Sequence, residues 1–210
     1  MAGSESPLVA FDREQSRDGE VIIAGVDEAG RGAWAGPVVA AAVVLPPGWD
    51  LPGLDDSKKL TPARRETLLK AILAGAPAWG ACAVSPRRID DINILQATLE
   101  AMTRSLHKLY PRPDLVLVDG NRVPSCSLPC LALVGGDGRS ACIAAASIVA
   151  KVLRDRIMTV YGRMYPGYGF AHHKGYGAGD HKSALLTLGP CPVHRFSYKP
   201  LVELDQGRLF

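Results

Sequence analysis

The chain predicts one α/β domain, and three observations carry that reading. Apolar runs of strand length, rich in Val, Leu and Ala, stand at 21–26, 38–45, 79–84, 115–118 and 131–134. Stretches at 61–73 and 85–109 place apolar residues three and four apart, and a long apolar segment follows from 141 to about 161; that is helical spacing and helical length. Strands mixed with helices in this way build a sheet covered by helices. At 210 residues the chain is also long enough to bury one good core without needing a second domain.

Residues 1–20 are polar, with Glu5, Asp12, Glu14 and Asp18 and no apolar core like that of a signal peptide. They are expected to form a flexible N-terminal tail, with the folded domain over 21–210. The first strand, 21–26, runs into Asp27-Glu28, and a second covers 38–45. Thr61-Pro62 is the chemistry of a helix start, a capping hydroxyl followed by proline; this helix reaches about Leu73 and presents Leu68, Leu69, Ile72 and Leu73. After a strand at 79–84, Ser85-Pro86 opens the longest helical pattern. Ile89, Ile92, Leu95, Leu99, Met102, Leu106 and Leu109 share its apolar face, and it stops before Pro111. Strands at 115–118 and 131–134 come next. In the last long helix, Ala144-Ala145-Ala146-Ser147 has side chains small enough for close packing on the sheet.

No stretch reaches the ~18–20 apolar residues that span a bilayer, so no membrane role is expected. With 24 basic and 21 acidic residues the net charge is only +3. Distribution says more. Lys58, Lys59, Arg64, Arg65 and Lys70 lie close together, and Arg87-Arg88 form a second group. Such runs serve either as solvated helix faces or as phosphate contacts. The five cysteines, Cys82, Cys126, Cys130, Cys142 and Cys191, are odd in number and lack a CxxC pair, which excludes a disulfide framework and a zinc knuckle. Reduced thiols, with Cys82 and Cys142 buried, and a soluble cytoplasmic protein are expected. His172, His173 and His181 lack the HExxH spacing and a cysteine partner, so they read as a solvated loop. Lys151 and Asp155 are one helical turn apart and read as an ion pair.

The chemistry is concentrated in acids that follow apolar runs: Asp27 and Glu28 after the first, Asp119 after 115–118, and Asp137 after 131–134. Functional groups in α/β sheets gather beyond the carboxyl ends of strands. If these strands are neighbours, the carboxylates converge, and charges that close must take up protons or hold cations. An all-oxygen ligand set selects a hard ion, Mg²⁺ or Mn²⁺, over zinc. Gly30 and Gly32 flank Arg31 and let the chain turn sharply where the first strand ends.

Asp27-Glu28-Ala29-Gly30-Arg31-Gly32 resembles the signature of the prokaryotic type 2 ribonucleases H, the ribonuclease HII family. The resemblance continues in order through Asp55-Asp56-Ser57-Lys58-Lys59-Leu60, Ile92-Asn93-Ile94-Leu95-Gln96-Ala97-Thr98, Val118-Asp119-Gly120-Asn121, Gly136-Asp137, the segment 144–155, Tyr168-Gly169-Phe170 and His173-Lys174-Gly175-Tyr176. It implies a ribonuclease H-like fold: a mixed central β-sheet flanked by α-helices, with a helical C-terminal extension. It also implies an endoribonuclease that cuts the RNA strand of RNA–DNA hybrids and incises 5′ to ribonucleotides embedded in duplex DNA. The products would carry 5′-phosphate and 3′-hydroxyl ends, as a step in ribonucleotide removal during replication and repair.

The resemblance makes Asp27, Glu28, Asp119 and Asp137 the catalytic metal ligands, with Asp27 bridging and Asp137 binding more loosely. Two Mn²⁺ or Mg²⁺ ions ~4 Å apart would clamp the phosphoryl displacement. Gly30, Arg31 and Gly32 would meet the ribose 2′-hydroxyl, the group that separates RNA from DNA, and Tyr176 would pack on the following deoxyribose. A monomer is expected; replication-clamp or polymerase partners stay open. The chain departs from the family at Trp34, where a smaller residue or proline is common, and at Val193-His194-Arg195-Phe196-Ser197-Tyr198, which replaces a His-Arg-Arg-Ser-Phe-like ending. A rival reading takes Gly30, Gly32 and Gly36 as a dinucleotide fingerprint. Its spacing is wrong, and Asp27-Glu28 would repel a pyrophosphate. A non-catalytic hybrid-binding module would show a lost acid, and none is lost.

Overall fold

A computed structural model describes residues 5–206. The elements in order are α1 (Pro7–Gln15), β1 (Ile23–Ala29), β2 (Val38–Val44), α2 (Pro62–Gly75), β3 (Ala78–Val84), α3 (Pro86–Leu106), β4 (Leu115–Asp119), β5 (Cys130–Leu133), a 3₁₀ turn (Gly136–Gly138), α4 (Ala141–Met164), α5 (Phe170–His173), α6 (Gly179–Leu188) and α7 (Lys199–Asp205). The strands form one sheet in the order β3-β2-β1-β4-β5. β1 and β3 each run antiparallel to β2, whereas β1, β4 and β5 are mutually parallel, so the sheet is mixed.

Alternation along the strands sorts side chains between two cores. Ile23 and Leu117 face α4 and α2, together with Ala41 and Val43 of β2. Ala24, Val26, Val116 and Val118 face α3. Both sides are covered, which is why the strands read as nearly unbroken apolar runs. Ala141 to Ala150 of α4 are all buried, and the helix lies so close to β1 that a Cβ on Gly25 would sit 2.1 Å from the Cys142 carbonyl carbon. Only glycine permits that approach.

Three expectations need correction. The flexible tail predicted over 1–20 contains α1, and Val9 and Asp12 are buried. An Asp12 Oδ2 accepts a 2.8 Å hydrogen bond from the Cys142 N–H, satisfying one of the orphan donors at the start of α4; Ser140 Oγ accepts from Ile143 N–H beside it. The polar composition hid a docked helix in which one of the two carboxylates, Asp12, caps another helix. The long helix predicted from 85 breaks at Asn93 (φ 66, ψ 165) and ends at Leu106. Asn93 Oδ1 accepts from Gln96 N–H and so restarts the helix as an internal cap. The break changes the phase, leaving Ile92, Leu95 and Leu99 half-buried instead of in one core stripe. Third, Cys142 is buried as expected but Cys82, on the outer strand β3, is half-exposed.

α5, α6 and α7 form the helical C-terminal extension, of which α5 and α6 contribute to a small third core of Ala35, Met158, Tyr168, Phe170, Ala184, Cys191 and Val193. The expected solvated histidine loop is only partly so. His172 is exposed, but His181 and His194 are buried with their Nε2 atoms 3.0 Å apart. No helix among the described residues is long and apolar enough to cross a membrane.

Candidate active site

The register explains the convergence of the acids. Val26 of β1 pairs with Val118 of β4, so the next residues, Asp27 and Asp119, lie side by side at the same edge. They share the face that carries Gly25 and Leu117, the face covered by α4. β5 continues the parallel set, and the turn that follows it brings in Asp137. Ligand atoms from Asp27, Asp119 and Asp137 all lie within 4.8 Å of one another. The Gly136 N–H donates to Asp119 Oδ1 at 2.7 Å and locks the 3₁₀ turn onto the end of β4.

Glu28 sits beside this group. Its backbone N–H donates to Asp27 Oδ1 at 2.6 Å, and its carboxylate is 3.5 Å from the Arg31 guanidinium. Lys58 reaches from the 55–60 loop to within 3.6 Å of Asp137 Oδ2. On the inner side, the Ser147 and Ser57 hydroxyls share a buried 2.6 Å hydrogen bond. Ser147 also touches Asp27 and favours its ionised form.

Electrostatics follows from this crowding. Burial, then the charges of Glu28 and Asp119, push the Asp27 pKa well above the ordinary aspartate range. Glu28 is raised by burial against the opposing pull of Arg31. Asp137 is raised by burial and by Asp119 and Asp56. Burial works against the Lys58 ammonium, yet Asp137, Asp56, Asp27 and Asp119 raise its pKa on balance. Carboxylates this close and this reluctant to ionise together fit a hard divalent cation, whose charge would remove the repulsion. Their all-oxygen donor set matches the same ion class.

Next to the acids, Gly30 takes φ +99, and a Cβ there would lie 1.9 Å from Arg154 Nε. Arg31 and Gly32 are exposed. The loop carrying Tyr176 is tied to the segment after them, because the Trp34 and Ala35 N–H groups both donate to Gly175 O, at 2.8 and 3.3 Å. Tyr176 is 38% exposed, and its ring lies 5.2 Å from the Arg154 guanidinium. The expected Lys151–Asp155 pair is present at 2.7 Å. The fold thus brings Asp27, Asp119 and Asp137 into one group, with Glu28 adjoining and paired to Arg31 of the Gly30-Arg31-Gly32 turn, while Tyr176 stacks on the Arg154 guanidinium that packs against Gly30.

Sequence reasoning missed several supporting residues. Lys58 read as part of a basic run and of the family-like 55–60 segment, with no role at the acids. Ser147 read as a small helix residue in the family-like 144–155 segment, again with no role there. Arg154 and Arg195, both 0% exposed, carried no periodic signal because charged residues are seldom found inside.

Comparison with known proteins agrees with this geometry. The family model described as Ribonuclease HII matches residues 24–201. Ribonuclease HII of Syntrophotalea carbinolica is 52% identical over 198 residues, covering 94% of each chain. That of Moorella thermoacetica is 53% identical over 192 residues, covering 91% of this chain and 93% of its own. Among solved structures, the ribonuclease H2 of Pyrococcus horikoshii superposes with a TM-score of 0.74 at 26% identity, over 89% of this chain and 98% of the other. The RNase HII of Archaeoglobus fulgidus, solved in a complex with PCNA, gives 0.68 at 26% identity over 85% and 96%. A type 3 enzyme, Bst-RNase HIII in complex with Mn²⁺, shares the fold with a TM-score of 0.67 at 19% identity, over 90% of this chain and 70% of the other. With a mixed sheet that gathers its acids at one edge and a family match spanning nearly the whole fold, the chain belongs to the ribonuclease HII family of RNase H endonucleases.

Proposed function

We propose that this enzyme hydrolyses the RNA strand of RNA–DNA hybrids and incises 5′ to single ribonucleotides embedded in duplex DNA, leaving 5′-phosphate and 3′-hydroxyl ends. The observation that carries the reading is the Asp27–Asp119–Asp137 group, within 4.8 Å, next to an exposed glycine-flanked arginine. Asp27, Glu28, Asp119 and Asp137 would hold Mn²⁺ or Mg²⁺, two ions during catalysis. Bound there, such ions would supply the Lewis acidity that activates the attacking water and stabilises the leaving ribose 3′ oxygen.

The chain's own residues do the rest. Asp27 is rigid on a central strand and Asp119 is fixed by the Gly136 N–H, so the oxygen donors are already oriented before substrate arrives. Lys58, whose side chain is largely exposed, places a cation over Asp137 where a phosphate must approach. The Gly30-Arg31-Gly32 turn meets the ribose 2′-hydroxyl, and the Tyr176 ring packs on the next sugar. Partners are the hybrid and ribonucleotide-containing duplex; the enzyme works as a cytoplasmic monomer in ribonucleotide removal. The archaeal relative solved with PCNA makes a sliding clamp the first protein partner to test.

The test is a DNA duplex with one internal ribonucleotide, incubated with Mg²⁺, Mn²⁺ or a chelator, with the product ends analysed. Incision on the 5′ side of the ribonucleotide, with a 3′-hydroxyl and a 5′-phosphate, is expected only with metal. Binding without cutting in either metal would leave a hybrid-binding module instead.

A further inference from the structure

Arg195 is fully buried, and among the described residues its hydrogen bonds go to main-chain carbonyls and one tyrosine hydroxyl, with no carboxylate within ion-pair distance. Such a charge is costly inside a protein unless its donors are satisfied. Here they are satisfied by the backbone of the Gly30-Arg31-Gly32 turn and its surroundings. One Nη2 donates to Gly30 O at 2.7 Å, Nη1 donates to Arg31 O at 2.7 Å and to Tyr198 Oη at 2.8 Å, and Nε donates to Gly36 O at 3.0 Å. Tyr198 Oη in turn donates to Arg31 O at 2.6 Å. Both carbonyls of the turn are therefore pulled inward, onto one planar cation.

A trans peptide points its N–H opposite to its C=O. Pinning Gly30 O and Arg31 O on a buried guanidinium therefore turns the N–H groups of Arg31 and Gly32 outward. Both residues are exposed, and neither N–H has an acceptor among the described residues. The result is a pair of preoriented donors beside the acid cluster. Holding donors in place before the ligand arrives is what gives a site its discrimination.

We infer that Arg195 is a positioning residue for ribose recognition: its fork sets the turn so that the Arg31 and Gly32 N–H groups meet the 2′-hydroxyl. This deepens the proposed function and rests on its reading of the turn. Within the C-terminal segment that departs from the family, Val193 to Tyr198, the Arg195 guanidinium and the Tyr198 hydroxyl make this contact. Lysine cannot replace the fork, because its donors radiate from one atom and cannot span carbonyls on successive residues.

The experiment compares binding by an Asp119→Asn background in Mg²⁺ to a duplex with one internal ribonucleotide and to the same duplex made wholly of DNA. Arg195→Lys is expected to lose about tenfold of the ribonucleotide preference, the worth of one or two charge-assisted hydrogen bonds, with all-DNA affinity within about twofold. Tyr198→Phe, which keeps the packing and deletes one hydroxyl, should lose about threefold. If Arg195→Lys does not fold by circular dichroism, Tyr198→Phe decides alone. Folded variants that keep the full preference, or that lose affinity for both duplexes alike, overturn the inference. A background protein that shows no preference at all refutes the ribose reading itself, and the role of Arg195 with it.

Discussion

Gly25→Ala is the most severe small change the fold offers. The added Cβ would lie 2.1 Å from the Cys142 carbonyl carbon, 2.2 Å from Ile143 N and 2.4 Å from Cys142 O. Ordinary contact begins at 3.4 Å, so the approach is about 1.3 Å too close. The atoms met are backbone at the start of α4, which has no rotamer to change. Either α4 lifts from the sheet or β1 bends. Overpacking of this kind costs about 1–3 kcal/mol, occasionally more, and a backbone clash belongs at the upper end.

About 3 kcal/mol lowers the Tm of a domain this size by about 6–12 °C. The damage would also reach the site, since Asp27 is two residues along the same face and Ser147 of α4 touches it. Differential scanning calorimetry beside a ribonucleotide-duplex cleavage assay reads both effects. A variant with unchanged Tm and activity would refute the packing described for β1 and α4.

Other changes test separate parts of the account. Asp12→Ala removes the acceptor for the Cys142 N–H and should cost about 1 kcal/mol, as lost helix caps do, while activity per folded molecule measured at 25 °C stays near wild type. Gly30→Ala meets both a positive φ and the Arg154 guanidinium, so cleavage should fall well below wild type with a smaller change in Tm. Acid should weaken the fold through the histidine pair: burial first lowers the pKa of His181, and that of His194 to about 4. The folded state then binds fewer protons than the unfolded one between about pH 6.5 and 4, so this contribution is present above that window and lost as pH falls through it. The raised carboxyl pKa values of the acid cluster act with the opposite sign, so the measurement is the difference in pH-dependent Tm between wild type and His194→Gln, which should show a flatter acid limb.

How much was legible in the chain differs by element. The five strands and the acids that end β1 and β4 were readable because buried strands leave unbroken apolar runs, and because a carboxylate directly after such a run is conspicuous; Asp137, on the glycine turn after β5, was placed by the family resemblance. The mixed strand directions were not readable from periodicity, since parallel and antiparallel buried strands look alike; they came with the family resemblance. Helix α1 was lost because its docking depends on one capping carboxylate, Asp12, and a few apolar contacts, too little to outweigh its charge. Asn93 shows the limit of spacing arguments: the apolar repeat passes straight over a residue whose backbone interrupts the helix. Arg154 and Arg195 were invisible for a deeper reason. Apart from the Tyr198 hydroxyl on Arg195, their hydrogen-bond partners are main-chain carbonyls, which every residue has, so no pattern of side chains announces them.

The most direct test of the metal site is a calorimetric titration of Mn²⁺ into the metal-free chain and into Asp119→Asn, with cleavage of the single-ribonucleotide duplex measured on the same samples. Wild type should bind Mn²⁺ and cut, and Asp119→Asn should lose most of both together. Undiminished Mn²⁺ binding and cutting by Asp119→Asn would contradict the assignment of that carboxylate to the reacting centre.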